Sequence, residues 1–323
     1  MHYVHRVAAL VLGAIAIVAS APALADFPDR PIKLIVMFPP GGETDPVARA
    51  VGAELAKKLN GTVVIENKPG AGGNIAAEFV AKAPKDGYTL LWGLSTQLTV
   101  NPTLYTNTGF DVEKDFAPIS TIAESALVLA VNPKVPANSV PELIKYMKAN
   151  PGKLNATTAG VGSPPYLANM LFMSRTGTDF VNVQYKGSTA LPVRTGEADL
   201  LFGGVGGVQG FIKEGTLRPL AVTSPERLPT MPELPTVKET GVPNYEVMVW
   251  HSLVAPAGTP QPVLDALHKA LTDALASPEL KDFLAGRAVK VTASTPDQLR
   301  KRMRDETVMW QKILKDANVG QLN

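Results

Sequence analysis

The sequence predicts an α/β fold with mainly parallel sheets, set out as two lobes joined by two crossing strands. Three observations predict it. Short apolar runs alternate with amphipathic helix patterns from Ile32 almost to the end, the order of βαβ units. The runs are apolar at successive positions, as strands covered by helices on both faces are. Two extended segments, Ser120–Val131 and Tyr245–Pro256, are placed to carry the chain out of one domain and back. Residues 26–125 and 248–323 are then lobe 1, and residues 126–247 lobe 2.

Before the fold comes a leader. Arg6 precedes an apolar run of about 14 residues, Val7 to Ser20, short for a membrane span. Ala23-Leu24-Ala25 fits a small-x-small cleavage pattern. The expectation is a signal peptide over residues 1–25, cut after Ala25, with a retained anchor as the alternative. The strands and helices follow in order. Ile32–Met37 reads as strand, Pro46–Leu59 as helix, Thr62–Glu66 as strand, Ile75–Ala83 as helix and Tyr88–Trp92 as strand. In the middle come strand Ala126–Val131, helix Val140–Asn150, strand Leu154–Thr158, helix Pro164–Arg175 and strand Val181–Gln184. Ala198–Phe202 and Leu217–Val222 are further strands, and Val263–Ala276 and Asp297–Ala317 are helices. In the last helix Leu299, Met303, Val308, Trp310 and Leu314 form the apolar set.

Composition narrows the chemistry. Beyond the leader, 30 basic residues face 29 acidic ones, and no basic stripe with interleaved aromatics points to nucleic acid. The chain has no cysteine, so disulfides, thiolate metal sites, a cysteine nucleophile and a lipoprotein anchor are out. Of its 4 histidines two lie beyond the leader, His251 and His268. His268 reads as a surface residue. For His251 a buried, hydrogen-bonded ring is the plainer reading and a ligand contact the alternative. No Gly-x-Ser-x-Gly elbow or His-Glu-x-x-His spacing is present. Catalysis, a metal and a cofactor are all without support.

Helix starts carry what chemistry there is. Phe38-Pro-Pro40-Gly41-Gly42-Glu43-Thr44-Asp45 links a strand to a helix. The first turn of a helix presents unpaired N–H groups and the positive end of a dipole, and paired glycines let a ligand approach. The stretch therefore reads as an anion cradle, with Asp45 as a cap or loop organiser and Arg49 its partner one turn on. Ala159–Tyr166 repeats the device. Gly160 and Gly162 give access, Ser163 suits an N-cap and Pro164 the first helical position. The turn after Trp92 aims Ser95 and Thr96 at the same edge. Phe202–Gly210, with Gly203 and Gly204, is either a flexible connector or a further lining of the cleft. Gly70–Asn74 starts like a dinucleotide fingerprint but has Ile75 at its sixth position, so it reads as a tight turn. Two cradles on two lobes suggest a ligand clamped between them.

The chain resembles the substrate-binding proteins of tripartite tricarboxylate transporters, the Bug receptor family. The likeness rests on Phe27–Ile32, Phe38–Asp45, Glu66-Asn-Lys-Pro-Gly-Ala-Gly-Gly-Asn74, Asp86–Leu91, Asn101-Pro-Thr-Leu-Tyr105 and Asp115–Ile119, then on Tyr185-Lys-Gly187, Leu220–Ser224 and Leu253–Pro260. It covers essentially the whole chain beyond the leader. It implies a two-lobed periplasmic binding protein of the type II kind. Such a protein captures a small organic carboxylate in the cleft and delivers it to membrane transporter subunits, as a monomer without nucleic acid or cofactor. Backbone groups of the two glycine loops hold the carboxylate in this family. A ligand sensor for a membrane kinase is the alternative, and a secreted hydrolase using Glu43 or Asp45 as base a more distant one.

Two departures bear on the ligand. Glu43 stands where a small polar residue is usual, and a carboxylate there repels an anion unless it points away. Gly203 and Gly204 stand where acidic amino-acid binders carry Asp-Asn, which disfavours an amino acid and leaves room for a bulkier or flat acid. A dicarboxylate or an aromatic acid fits best. Phe38, Tyr166 and Trp250 are candidate apolar walls, and Trp92 reads as core. The expected binding set is thus Phe38, Pro40, Gly41, Gly42, Glu43, Thr44, Asp45, Ser95, Thr96, Gly160, Gly162, Ser163, Tyr166, Gly203 and Gly204.

Overall fold

The structure, a computed structural model, describes residues 27–41, 44–185, 187–316 and 319–322. The leader over 1–25 and the positions Gly42 and Glu43 lie outside the described residues. Strand β1 (Ile32–Val36) buries every residue but Lys33. Helix α1 (Thr44–Lys58) turns Val47, Ala48, Val51 and Leu55 inward, the spacing of one helical face. Then come β2 (Val63–Asn67), a 3₁₀ turn (Ala71–Gly73), α2 (Asn74–Ala81) and β3 (Thr89–Leu94), followed by the short helices α3 (Ser95–Thr99), α4 (Asn101–Leu104) and α5 (Val112–Asp115). Strand β4 (Phe116–Val131) leads into α6 (Val140–Ala149), β5 (Asn155–Thr158), α7 (Pro164–Thr176), β6 (Val181–Gln184), α8 (Ala190–Thr195), β7 (Leu200–Gly204), α9 (Val205–Lys213) and β8 (Arg218–Val222). The return runs through β9 (Met248–Pro256), α10 (Gln261–Leu275), α11 (Pro278–Ala285), β10 (Val289–Val291) and α12 (Pro296–Asp316).

The strands are joined in the order β2-β1-β3-β9-β4-β7-β5-β6, with β10 and β8 also on β4. The expected parallel pairing holds in each lobe, for β1 with β2 and β3, and for β5 with β6 and β7. Around the crossing strands it is antiparallel. Strand β4 changes partners along its length. Up to Ala126 it pairs with β9, and from Leu127 onward with β7 and β8. Thr223 pins this point. Its buried hydroxyl accepts from Leu127 N–H at 2.8 Å and donates to Val247 O at 2.7 Å, so one side chain ties together both crossing segments.

A continuous core runs from Ile35 and Leu98 through Leu129 to Leu167 and Phe202. Two smaller cores cover the other faces, one around Val51, Leu90 and Leu267, the other around Val128, Val193 and Val208. Two sequence expectations are corrected here. Phe202–Gly210 is not a loop. Gly203 and Gly204 end β7, and Gly206, Gly207 and Gly210 lie within α9. Val205 and Val208 are buried against the third core, and that packing overrides the low helix propensity of glycine. Val308 is 67% exposed, so the buried face of α12 is Leu299, Met303, Trp310 and Leu314.

Candidate functional site

The Phe38–Asp45 stretch is organised by Asp45, which is buried in the first turn of α1. One of its carboxylate oxygens accepts from Gly41 N–H at 3.1 Å and from Arg49 Nε at 2.8 Å. The other accepts from Asn67 Nδ2 at 3.0 Å, and the same nitrogen reaches Phe38 O at 2.8 Å. The Arg49 hydrogen bond leads the causes that bring the Asp45 pKa down to about 2, with Asn67 and the Gly41 amide assisting against desolvation. The carboxylate is thus committed to holding the loop. The Gly41 amide, assigned to an anion by the sequence reading, is spent on Asp45. Thr44 is buried, Phe38 half-buried, and Pro40 and Gly41 exposed.

At the carboxyl end of β3 the chain turns directly into α3 and α4. Ser95 and Thr96 lie there as expected, 3% and 4% exposed. Neither Ser95 Oγ nor Thr96 Oγ1 has a partner, and the same is true of Gln97 Oε1 and Asn101 Oδ1, both on fully buried side chains. Leaving a buried polar atom unpaired costs about 1–3 kcal/mol. These four within seven residues, with Thr103 Oγ1 beside them, are open to a water or a ligand as partner. Gln97 Nε2 donates to Gly73 O, and Asn101 Nδ2 to Gly72 O at 3.0 Å and Asn74 Oδ1 at 2.7 Å. These bonds seat the two amides on the Gly70–Gly73 turn, whose residues all have φ between 48° and 130°.

The second glycine loop meets this surface. Gly160 and Gly162 have φ of 113° and 79°. A Cβ at Gly162 would stand 2.8 Å from Asn101 Oδ1 and 3.4 Å from Leu104, and one at Gly72 would be 3.5 Å from Val161 O. The 160–163 loop of the middle segment is therefore laid against Gly72 and Asn101 of the first. Ser163 takes the N-cap position of α7, but its hydroxyl donates to Gly160 O at 2.6 Å instead of capping the helix. Pro164 and Pro165 carry no N–H, so the first amide α7 offers is that of Tyr166. Tyr166 is half-buried against the main core with Phe38, Tyr105 and Val161. Burial raises the hydroxyl pKa values of Tyr105 and Tyr166.

Other expectations resolve differently. Gly203 does not open space toward a ligand, because a Cβ there would be 2.7 Å from Val208 and 2.8 Å from Leu201. Gly204 pairs with Leu127 inside the sheet. Trp250 is core, fully buried, with Nε1 donating to Glu306 at 2.7 Å. Trp92 is core too, and its Nε1 donates to His251 Nδ1 at 3.0 Å. Burial brings the His251 pKa down to about 4, so the ring is a neutral acceptor, the plainer of its two readings. His268 is half-buried, its Nε2 3.1 Å from Ser294 O. Gln97, Asn101 and Asn67 join the candidate site through their hydrogen bonds, beyond the residues that the sequence predicts. The stretches that hold all three, Glu66–Asn74, Trp92–Gln97 and Asn101–Tyr105, stand out in the sequence, but without a role for these side chains. Among the described residues no cluster of three acidic, His or Cys side chains is set to hold a metal, and no helix is long and apolar enough to cross a membrane.

Known proteins fit this geometry. The family model described as the tripartite tricarboxylate transporter family receptor matches residues 47–319. Protein BugT of Bordetella pertussis is 36% identical over 307 residues, which is 92% of this chain and 93% of that protein. Among solved structures, Rpa4515 of R. palustris with adipate superposes with a TM-score of 0.86 at 33% identity over 92% of this chain and all of that one. The periplasmic binding protein BugD gives 0.85 at 32% identity with the same coverage. MatC of Rhodopseudomonas palustris with bound malate gives 0.83 at 30% identity over 89% of this chain and all of that one. With its two-lobed fold, its paired glycine loops and matches that span nearly its full length, this chain belongs to the tripartite tricarboxylate transporter receptor family of periplasmic solute-binding proteins, which are receptors and not enzymes.

Proposed function

We propose that the protein captures a small organic carboxylate between lobes formed by residues 26–125 with 248–323 and by residues 126–247, and hands it to a tripartite transporter in the membrane. The observation that carries this reading is the group of unpartnered buried atoms on Ser95, Thr96, Gln97 and Asn101 beside the Gly160–Ser163 loop. The two hydroxyls donate to a carboxylate oxygen, and the amides at the starts of α1 and α7 supply the positive ends of two long helices. The change of β4 partners between Ala126 and Leu127 supports these lobe boundaries. The adipate and malate held by two relatives support a dicarboxylate. The occupied carboxylate of Asp45 supports a loop-holding role for that residue. The protein works as a monomer in the periplasm after loss of its leader.

A thermal-shift screen of mono-, di- and tricarboxylates and aromatic acids tests the reading. A ligand present at 100 times its Kd raises apparent stability by about 2.7 kcal/mol. Dicarboxylates are expected to raise the midpoint. A response confined to cationic or neutral solutes contradicts the reading.

A further inference from the structure

We infer that Val319–Leu322, the segment after α12, is a positioning element of the cleft, holding the α4 corner on which the 160–163 loop of the other lobe lands. This rests on the lobe division and the carboxylate reading above and deepens them. Helix α4 is four residues long, too short to hold itself together without packing. A helix end also leaves its last carbonyls without partners. Tyr105 N–H takes the carbonyl of Asn101. The carbonyls of Thr103 and Leu104 are taken from the far end of the chain. Gln321 Nε2 donates to Thr103 O at 3.2 Å, across 218 positions of sequence, and Leu322 N–H donates to Leu104 O at 2.8 Å. Thr106 N–H donates in turn to Leu322 O at 2.8 Å, so Leu322 bridges Tyr105 in parallel like one residue of an added strand.

The same corner meets the other lobe. Asn101 Nδ2 donates to Gly72 O at 3.0 Å and to Asn74 Oδ1 at 2.7 Å. Gly162 fits against Asn101 and Leu104 with no room to spare, since a Cβ there would stand 2.8 Å from the first and 3.4 Å from the second. A Cβ at Gly72 would stand 3.0 Å from the Tyr105 hydroxyl and 3.5 Å from Val161 O. Asn101, Leu104 and Tyr105 thus stand at the contact, and the bonds of Leu322 bracket the last two. The segment is itself anchored. Val319 N–H donates to Leu314 O at 3.0 Å, and Val319 and Leu322 pack on the main core. Gly320 and Gln321 are exposed, so the segment is held by few bonds and opens more easily than the core. Packed elements joined in this way pass a displacement along. Loss of the segment loosens α4, and a loose α4 gives the 160–163 loop no fixed seat.

Two variants test this, a chain lacking residues 319–323 and Leu322→Ala, with Leu322→Ile as the conservative control and each checked for folding by its melting curve. Calorimetric titration with malate and adipate is expected to show at least tenfold weaker binding in the shortened chain, at least threefold weaker binding in Leu322→Ala, and near wild-type binding in Leu322→Ile. Amide hydrogen exchange without ligand is expected to speed at least tenfold at residues 103–106 of the shortened chain and to stay unchanged in β1 and β5, which a general loss of stability would move as well. Affinity within twofold of wild type in the folded shortened chain, or unchanged exchange at 103–106, overturns the inference and leaves the carboxylate reading standing. If the shortened chain does not fold, Leu322→Ala decides by the same limits. Failure of both acids to bind the wild-type protein counts against the carboxylate reading alone, and exchange at 103–106 then decides the inference by itself.

Discussion

Asp45 shows how one residue can shape a site it does not serve directly. Its three donors come from Gly41, one turn of α1 and the end of β2, so losing it frees the Phe38–Asp45 loop from both neighbouring elements. The carboxyl titrates near 2 in the fold against 3.8 ordinarily. A depressed acid stabilises the fold above its ordinary pKa, and this contribution fades as pH falls from about 4 to 2. Asp45→Asn should cost about 2 kcal/mol at pH 7 and almost nothing near pH 2, read by denaturant unfolding at both. His251 works in a different window. Above 6.5 the ring is neutral folded or unfolded. Between 6.5 and about 4 the unfolded chain binds a proton that the fold refuses, so stability falls with falling pH, by up to about 3 kcal/mol. His251→Gln should flatten that part of the stability–pH curve, whatever it does to stability at neutral pH.

Glycines in this chain divide by the element that holds them. Gly207 sits within α9, is exposed, and a Cβ there would meet nothing within 4 Å. Gly207→Ala should therefore stabilise the fold by about 0.5–1 kcal/mol, seen as a raised melting midpoint. Gly162 is the opposite case, with φ of 79° and Asn101 Oδ1 in the way. Gly162→Ala should weaken carboxylate binding at least tenfold in calorimetry by holding the 160–163 loop off Asn101. The same contrast explains what could be read from residue order. An apolar run announced β1 to within a residue, because burial on both faces leaves a continuous signal; β5 and β6 were bounded as closely, although both are partly polar and β6 is an exposed edge strand. Strand β4 was only half legible. Its sixteen residues begin at Phe116, but Pro118, Ser120, Thr121 and Glu124 interrupt the apolar run. Helix α9 was hidden by its glycines, since what makes it a helix is the core beneath Val205 and Val208. Gln97 and Asn101 gave no periodic signal at all. Their importance lies in which backbone carbonyls the fold brings to them.

At the scale of the molecule, the proposed lobe boundaries fall at Ala126–Leu127, where β4 changes partners, and at Val247–Met248, with Thr223 bonded to both segments. A brace stands beside this hinge. Arg302 of α12 pairs with Glu124 of β4 at 3.3 Å and with Glu306 at 2.8 Å, while Glu306 accepts from Trp250 of β9. The 160–163 loop lies against Gly72 and against Asn101 of α4, beside the place among the described residues where buried hydroxyls and amide oxygens gather unpaired, and we propose that hinge closure around a ligand holds it there. Affinity is therefore expected to depend on Ser95 and Thr96 while the fold does not, since their hydroxyls bond nothing within the protein. Calorimetric titration of the Ser95→Ala/Thr96→Val double variant with malate decides the matter. At least a tenfold weaker Kd with an unchanged ligand-free melting midpoint is the predicted result, whereas wild-type affinity in the folded double variant would contradict the assignment of this surface as the carboxylate site.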